Sequence, residues 1–296
     1  MTDNRLAEFI GRACTQALIA EVSATPKPGL VDKDNSGSHR DMDFDTFITS
    51  ITTISPYFSV FAQRGTELAA LDEASLSHIR HIGVDCEEAM FAATHGVNTH
   101  KGAIFSLGII AAAAGHCAVR KQDLRAETVC AAAATIAAAA QRDFEELPAH
   151  EPMTKGRELY IKYGIRGIRG EAADGFPSVR TEALPTLRRL VAEGVHTVND
   201  ICLEVLLQLM STVDDTNVAA RCGAPAMGLL HLEARRILAC GGALTSQGIS
   251  MMNDLNCSFV QRNISPGGCA DLLSVTVALY EIEKLSVKVE DKCYAR

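Results

Sequence analysis

Tryptophan is absent from this chain of 296 residues, and aromatic side chains make up only 5% of it. Alternating apolar and polar runs, the pattern of a half-buried strand, are scarce. Both deficits argue against a β-rich fold. A basic excess is also lacking: the formal net charge is −8. A general nucleic-acid binder needs a basic face to displace counterions from phosphates, so that class is set aside. A small anionic ligand is not, because a pocket can be locally positive on an acidic protein. The ten cysteines form no CxxC pair and keep no regular spacing, which argues against a disulfide scaffold and against zinc-knuckle sites. Scattered free thiols fit a reducing, cytoplasmic setting. The start of the chain has no basic segment followed by an apolar block, so no signal peptide is expected. The most apolar stretch, residues 103–119, is rich in alanine and glycine and short for a bilayer span. It reads as a buried core helix, and no membrane partner is expected. Internal repeats and low-complexity linkers are missing too.

What is present is alanine, above all in residues 110–140, and 47% hydrophobic residues overall. Alanine favours helix because it loses no side-chain entropy there. Apolar residues recur at helical spacing in most segments. Leu6, Phe9, Ile10, Cys14, Leu18 and Val22 share one face near the start, and Phe47, Ile48, Ile51, Ile54 and Phe58 form a second stripe. Residues 128–141, 201–210 and 271–285 read as further helices. The expectation is an all-α fold, with residues 1–296 forming a single globular domain.

Between the helices lie five polar, glycine-bearing segments: residues 25–42, 96–102, 164–177, 214–223 and 262–271. Loops that carry chemistry on a rigid scaffold have this composition. In the first, two prolines stiffen the backbone around Lys27, suiting it to hold a phosphate, and Gly29 permits a sharp turn. Asp32, Asn35, His39 and Asp41 follow, an oxygen-rich set able to bind Mg²⁺ beside substrate phosphates. The plain alternative is a stiff linker and a helix cap. In the second, a glycine loop with Asn98, His100 and Lys101 feeds the alanine-rich helix, so backbone N–H groups and the helix dipole could hold phosphate. It is not a Walker A loop, and the His95–His100 spacing does not suit zinc.

In the third segment Arg166 and Arg169 could grip phosphate, with Glu171 beside them as a candidate acid or base. Its glycine spacing is not that of a dinucleotide loop. In the fourth, Asp214, Asp215 and Asn217 follow a run of apolar residues, with Arg221 one turn further on. Such acids need charge compensation, by Mg²⁺, by a basic partner or by capping a helix N-terminus. In the last, Arg262 precedes a turn carrying Ser265 and Gly267, whose N–H groups could form an anion nest.

Six words in these segments run in one order along the chain: TPKPGLVD at residues 25–32, NxGxHxDM at 35–42, GVNTHKGxxFSLG at 96–108, RGExxxGFP at 169–177, DTNVAxR at 215–221 and RNxSPGGxADLL at 262–273. Together they resemble the triphosphoribosyl-dephospho-coenzyme A synthase family over nearly the whole chain. That resemblance implies an all-helical enzyme that joins the triphosphoribosyl part of ATP to 3′-dephospho-coenzyme A and releases adenine. The product would pass to a transferase that loads the acyl carrier subunit of citrate lyase, or of malonate decarboxylase. Asn35, Asn98 with Lys101, and the DTNV word look more like the citrate lyase branch.

The implied chemistry is glycosyl transfer through an oxocarbenium-like transition state. On that reading Asp214, Asp215 and Asn217, with Asp32, hold Mg²⁺. Lys27, Lys101, Arg221 and Arg262 bind phosphate. Glu171 is the first candidate for general base and Asp41 the second, while His39 and His100 contact a base or phosphate. Asn35, Asn98, Arg166, Arg169, Ser265 and Gly267 complete the substrate contacts. A homodimer is expected on base rates alone. The rival readings are a Mg²⁺-dependent helical nucleotide hydrolase of the ADP-ribosyl hydrolase type and a non-catalytic nucleotide-binding regulator.

Overall fold

The computed structural model describes residues 3–141 and 155–294. Among these residues it holds thirteen α-helices and no strand. In chain order they are α1 (Asp3–Ser23), α2 (Phe44–Glu67), α3 (Ser75–Ala93), α4 (Lys101–Val119), α5 (Ala126–Ala137), α6 (Lys155–Tyr163) and α7 (Gly167–Ala173). There follow α8 (Leu184–Glu193), α9 (Val198–Met210), α10 (Thr216–Cys222), α11 (Pro225–Ala239), α12 (Ser246–Arg262) and α13 (Gly267–Tyr294).

The expected stripes face inward. On α1, Leu6, Ile10, Cys14, Leu18 and Val22 are buried, and on α2 so are Ile51, Ile54 and Phe58. The alanine-rich segment is the central helix α4. It is apolar all round because it is packed all round, and 78% of its most apolar window is buried inside the fold. Small residues set its distance from α2. A Cβ on Gly65 would lie 2.0 Å from the Ala112 carbonyl oxygen, and one on Gly115 would lie 2.1 Å from that of Ala62. The two backbones therefore touch where any larger residue would force them apart.

Two of the expected loops contain short helices, α7 within residues 164–177 and α10 within residues 214–223. For α10 the cause is Asp215, whose carboxylate accepts the N–H groups of Asn217 at 2.8 Å and Val218 at 3.2 Å. This is an N-cap, the arrangement that satisfies otherwise orphaned donors at a helix start.

Residues 24–43 join α1 to α2 and lie across the turn between α12 and α13. Ser38 Oγ donates to the Ile264 carbonyl at 2.6 Å, and Gly29 N–H donates to Asn256 Oδ1 at 2.9 Å. Gly29 has φ of 74°, and a Cβ there would sit 2.2 Å from the Ile264 oxygen, so the clamp requires glycine. Asn263, at φ 58°, turns the chain out of α12 and aims the start of α13 at this loop. The packing thus gathers the starts of α4, α10 and α13 beneath residues 24–43.

Candidate active site

Beneath that loop lies a cavity of about 290 Å³. His39 and Asp41 of the loop, residues 98–103 at the start of α4, Asn217 and Arg221 of α10, and Ser265, Gly267 and Asp271 at the start of α13 line it. Nine residues expected to bind substrate or act in chemistry meet here: His39, Asp41, Asn98, His100, Lys101, Asn217, Arg221, Ser265 and Gly267. Asn98 Oδ1 caps the Lys101 N–H at 3.2 Å. Lys101 itself stands at the exposed rim, 2.7 Å from Glu87.

The two histidines differ in state. Arg221 Nη1 donates to His39 Nε2 at 3.4 Å, and Ser265 Oγ lies 2.9 Å from the same nitrogen. An arginine has only donors, so Nε2 is an acceptor and the ring proton sits on Nδ1, 3.9 Å from Asp41. Burial and then Arg221 push the His39 pKa down, with Asp41 opposing. Arg221 is braced by a second bond, Nη2 to the Ser38 carbonyl at 3.0 Å.

His100 is buried, with Phe47 edge-on at 4.8 Å between ring centres. Thr99 Oγ1 donates to Ser50 Oγ at 2.7 Å, and Ser50 Oγ is 2.7 Å from His100 Nδ1. The Ser50 proton then belongs to Nδ1, which leaves Nε2–H as a donor. That nitrogen is buried and has no hydrogen-bond partner. Burial, with Lys27 adding to it, pushes the ring's pKa down to about 3. His100 is therefore a neutral donor at physiological pH and not a reservoir of acid.

A second cavity, about 280 Å³, opens on the other side of the starts of α10 and α13. Asn217 and Gly267 face the first cavity, whereas Asp215, Thr216 and Gly268 face the second. Here lie Arg166, Glu171 and Asp214. Glu171 accepts Ser178 O–H at 2.6 Å and Ser178 N–H at 3.2 Å. Burial nevertheless raises its pKa, against the pull of those two bonds. Arg166 is paired with Asp174.

Several expectations need correction. Lys27 does not project from its loop. It is fully buried, its ammonium pairs with Glu21, and it donates to the Glu21 carbonyl at 2.8 Å. The prolines on either side stiffen a segment that folds back onto α1 instead of reaching outward. Asp32 is 1% exposed and faces its own turn, accepting N–H groups of Lys27, Asp34 and Asn35 at 2.9–3.0 Å. Asn35 likewise braces the loop, accepting Gly37 N–H at 2.8 Å.

The four expected Mg²⁺ ligands are not brought together. Asp215 accepts a third N–H, from Cys269 at 2.9 Å, so its oxygens are spent joining α10 to α13. Asn217 and Asp214 open into different cavities, and Asp32 is held in its turn. Among the described residues no group of three or more His, Cys, Asp or Glu side chains is placed to hold a metal ion. Arg262 is exposed and lines a third cavity with Glu233 and Asp254, apart from the other two. Arg169 lines neither cavity; its guanidinium lies 5.9 Å from the Phe105 ring centre.

Two acids were given no role from the sequence, although Asp271 falls within the RNxSPGGxADLL word. Glu21 and Asp271 both line the first cavity. Each lies among apolar neighbours, Leu18 and Val22 for the one, Ala270, Leu272 and Leu273 for the other. A carboxylate inside an apolar helical run was the available signal.

Comparison with known proteins adds to this geometry. The sequence model of the CitG family, described as ATP:dephospho-CoA triphosphoribosyl transferase, matches residues 7–289. A curated relative from Albidiferax ferrireducens is 42% identical over 284 residues, covering 96% of this chain and 93% of its own. It carries the name "Probable 2-(5''-triphosphoribosyl)-3'-dephosphocoenzyme-A synthase". One from Pectobacterium atrosepticum, named without "Probable", is 42% identical over 272 residues, 92% of this chain and 88% of its own. A third, from Vibrio cholerae and again "Probable", is 39% identical over 285 residues, 95% and 90% of the two chains. No solved structure matches the chain significantly.

Proposed function

This chain belongs to the ATP:dephospho-CoA triphosphoribosyl transferase family, and on that premise we propose that it transfers the triphosphoribosyl group of ATP to the 2′-hydroxyl of 3′-dephospho-coenzyme A, releasing adenine. The observation that carries the reading is the first cavity. Two long helices, α4 and α13, begin at it, Lys101 and Arg221 stand beside it, and the unpartnered His100 Nε2–H lies in its wall. Helix starts and basic side chains attract a polyanion.

In this reading the first cavity receives the triphosphate and ribose of ATP. The triphosphate stays on the sugar, so it serves as a handle: binding energy spent on it orients C1″ for attack. Arg221, braced by Ser38 and His39, offers a fixed fork to phosphate, whereas Lys101 offers a mobile point charge. Mg²⁺ would arrive on the triphosphate as a counter-ion; of the expected ligands Asn217 lines the cavity that receives it, whereas Asp214 opens into the second. No step is assigned to the ion. The acceptor approaches from the second cavity, where Glu171 takes the proton of its 2′-hydroxyl. A base is most effective when its pKa lies near the working pH, and burial moves Glu171 in that direction.

The product, 2′-(5″-triphosphoribosyl)-3′-dephospho-coenzyme A, would then be handed to a transferase serving the citrate lyase carrier subunit. A reaction that consumes ATP and a coenzyme A precursor is assigned to the cytoplasm. The test is chromatographic assay of adenine from ATP and Mg²⁺, with and without 3′-dephospho-coenzyme A. Adenine release that requires the acceptor supports the transfer; equal release without it refutes it.

A further inference from the structure

We propose that Asp271 is the general acid of this transfer, giving a proton to the departing adenine from the wall of the first cavity. The inference deepens the proposed function and rests on it. Displacement at C1″ has two demands. A base must take the acceptor's hydroxyl proton, and a donor must neutralise the charge that collects on the purine as its bond to C1″ breaks. Glu171 answers the first demand, and the two histidines of the first cavity do not answer the second. His39 Nε2 carries no proton, its acceptor side being fixed by Arg221. His100 is a neutral donor whose ring does not hold a second proton near neutrality.

Asp271 is placed for the task. It lies just past the first turn of α13 and reaches across to the start of α4, where it accepts the Ala103 N–H. Its Oδ2 sits 2.0 Å from where a Cβ on residue 102 would be, so only the glycine at that position admits it. The carboxyl group opens into the cavity that holds His100, Asn98 and Arg221. The other acids there are committed elsewhere or exposed: Glu21 is paired with Lys27, and Asp41 is 65% exposed.

The charges around Asp271 favour its neutral, proton-bearing form. Burial raises its pKa well above the usual carboxylate range, and the negative charges of Asp215 and Glu21 push the same way, with only the Ala103 N–H opposing. Two nearby cations have partners of their own: Lys27 is tied to Glu21 and Lys101 to Glu87, while Arg221 contacts Ser38 and His39. A carboxyl held neutral by a poorly solvated site is an established way to keep a proton donor at neutral pH.

The step balances. The acceptor O2′ forms its bond to C1″ as the C1″–N9 bond breaks, and the bonding pair leaves with adenine. Asp271 delivers its proton to a ring nitrogen of that base, and the hydroxyl proton passes to Glu171. Solvent resets both carboxyls between turnovers. Asp271 lines the first cavity and Glu171 the second, and both lie near Cys269 in the first turn of α13. A single inverting displacement needs an acid on the side of the leaving base and a base on the side of the acceptor, the division that the two cavities offer.

The experiment compares ATP with the triphosphate of 6-chloropurine riboside, whose electron-poor base leaves with less need of a proton. For wild type at saturating acceptor, kcat with ATP should fall as pH rises through the raised Asp271 pKa, and kcat with the chloropurine should not. In Asp271→Asn, kcat with ATP should drop by about 100- to 10,000-fold. The loss should shrink to about tenfold or less with the chloropurine, and the fall at high pH should vanish. Asparagine keeps an acceptor for Ala103 N–H and removes a group whose ionisation is disfavoured on burial. The melting temperature at pH 8 should therefore not fall. Equal losses with both triphosphates, or wild-type pH profiles that fall together, would overturn the acid role. Absence of a coupled product with either triphosphate in wild type would instead refute the proposed function.

Discussion

Replacing Lys27 by methionine separates a structural role for this residue from a substrate-binding one. The ammonium is 0% exposed, and the Glu21 side chain it pairs with is 6% exposed. Methionine nearly fills the same volume, so the change removes the charge and its hydrogen bonds while leaving little cavity. It strands the Glu21 carboxylate without its partner. Breaking a buried ion pair from one side costs about 3–5 kcal/mol. At about 2–4 °C per kcal/mol for a chain of this size class, the melting temperature should drop by about 6–20 °C at pH 7.5.

The loss should depend on pH in a definite direction. Burial already raises the Glu21 pKa, and Lys27 is the main influence pulling it down. Without Lys27 the folded-state pKa rises further above its unfolded value. The resulting stability is complete at low pH and is lost as pH rises through the folded pKa. The deficit should therefore be smaller at pH 5.5 than at pH 7.5. Adding Glu21→Gln to the variant should recover most of it, because the uncompensated charge is then gone. The assays are thermal denaturation at the two pH values and calorimetric titration with ATP. An unchanged melting temperature with ATP affinity reduced tenfold or more would refute the reasoning and return Lys27 to the phosphate site.

Other consequences are as specific. Arg221→Ala removes a charged hydrogen-bond donor worth about 1.5–3 kcal/mol, so ATP should bind about 10- to 150-fold more weakly with little change in melting temperature, as titration calorimetry would show. Glu171→Gln should lower kcat by about 100- to 10,000-fold while sparing ATP affinity. Because Glu171 acts ionised and its pKa is raised, wild-type kcat should climb as pH increases through that pKa, and the variant should lose the climb. Gly65→Ala would place a methyl group 2.0 Å from the Ala112 carbonyl and should destabilise the fold by about 1–3 kcal/mol; an unchanged denaturation midpoint would mean that α2 and α4 separate without cost.

Much of the helical scaffold could be read from the sequence because its periodic stripes answer to one core. The apolar residues of α1, α2, α9 and α13 recur at the spacing that buries them, and α4 is apolar all round because it is central. The short helices were not legible. α10 is seven residues long and is held by the Asp215 cap and its contact with α13, neither of which is a local propensity. The site was legible in composition but not in assignment. The segments around residues 39, 100, 217 and 265 do converge. Whether a polar side chain faces the cavity or its own loop depends on how the backbone folds back, and Lys27 and Asp32 turn inward while Asp214 and Asn217 part company. Glu21 and Asp271, the latter inside a quoted word, received no role because sequence pattern records them as interruptions in apolar helix faces, not as neighbours across a cavity.

The most direct test of the central claim is mass spectrometry of the products formed by the purified protein from ATP, Mg²⁺ and 3′-dephospho-coenzyme A. Free adenine should form together with an acceptor carrying an added triphosphoribosyl group, the two in equal amounts and neither formed when the acceptor is omitted. Adenine or ADP accumulating with no adduct would contradict it and identify a hydrolase, and ATP binding with no turnover would identify a regulator.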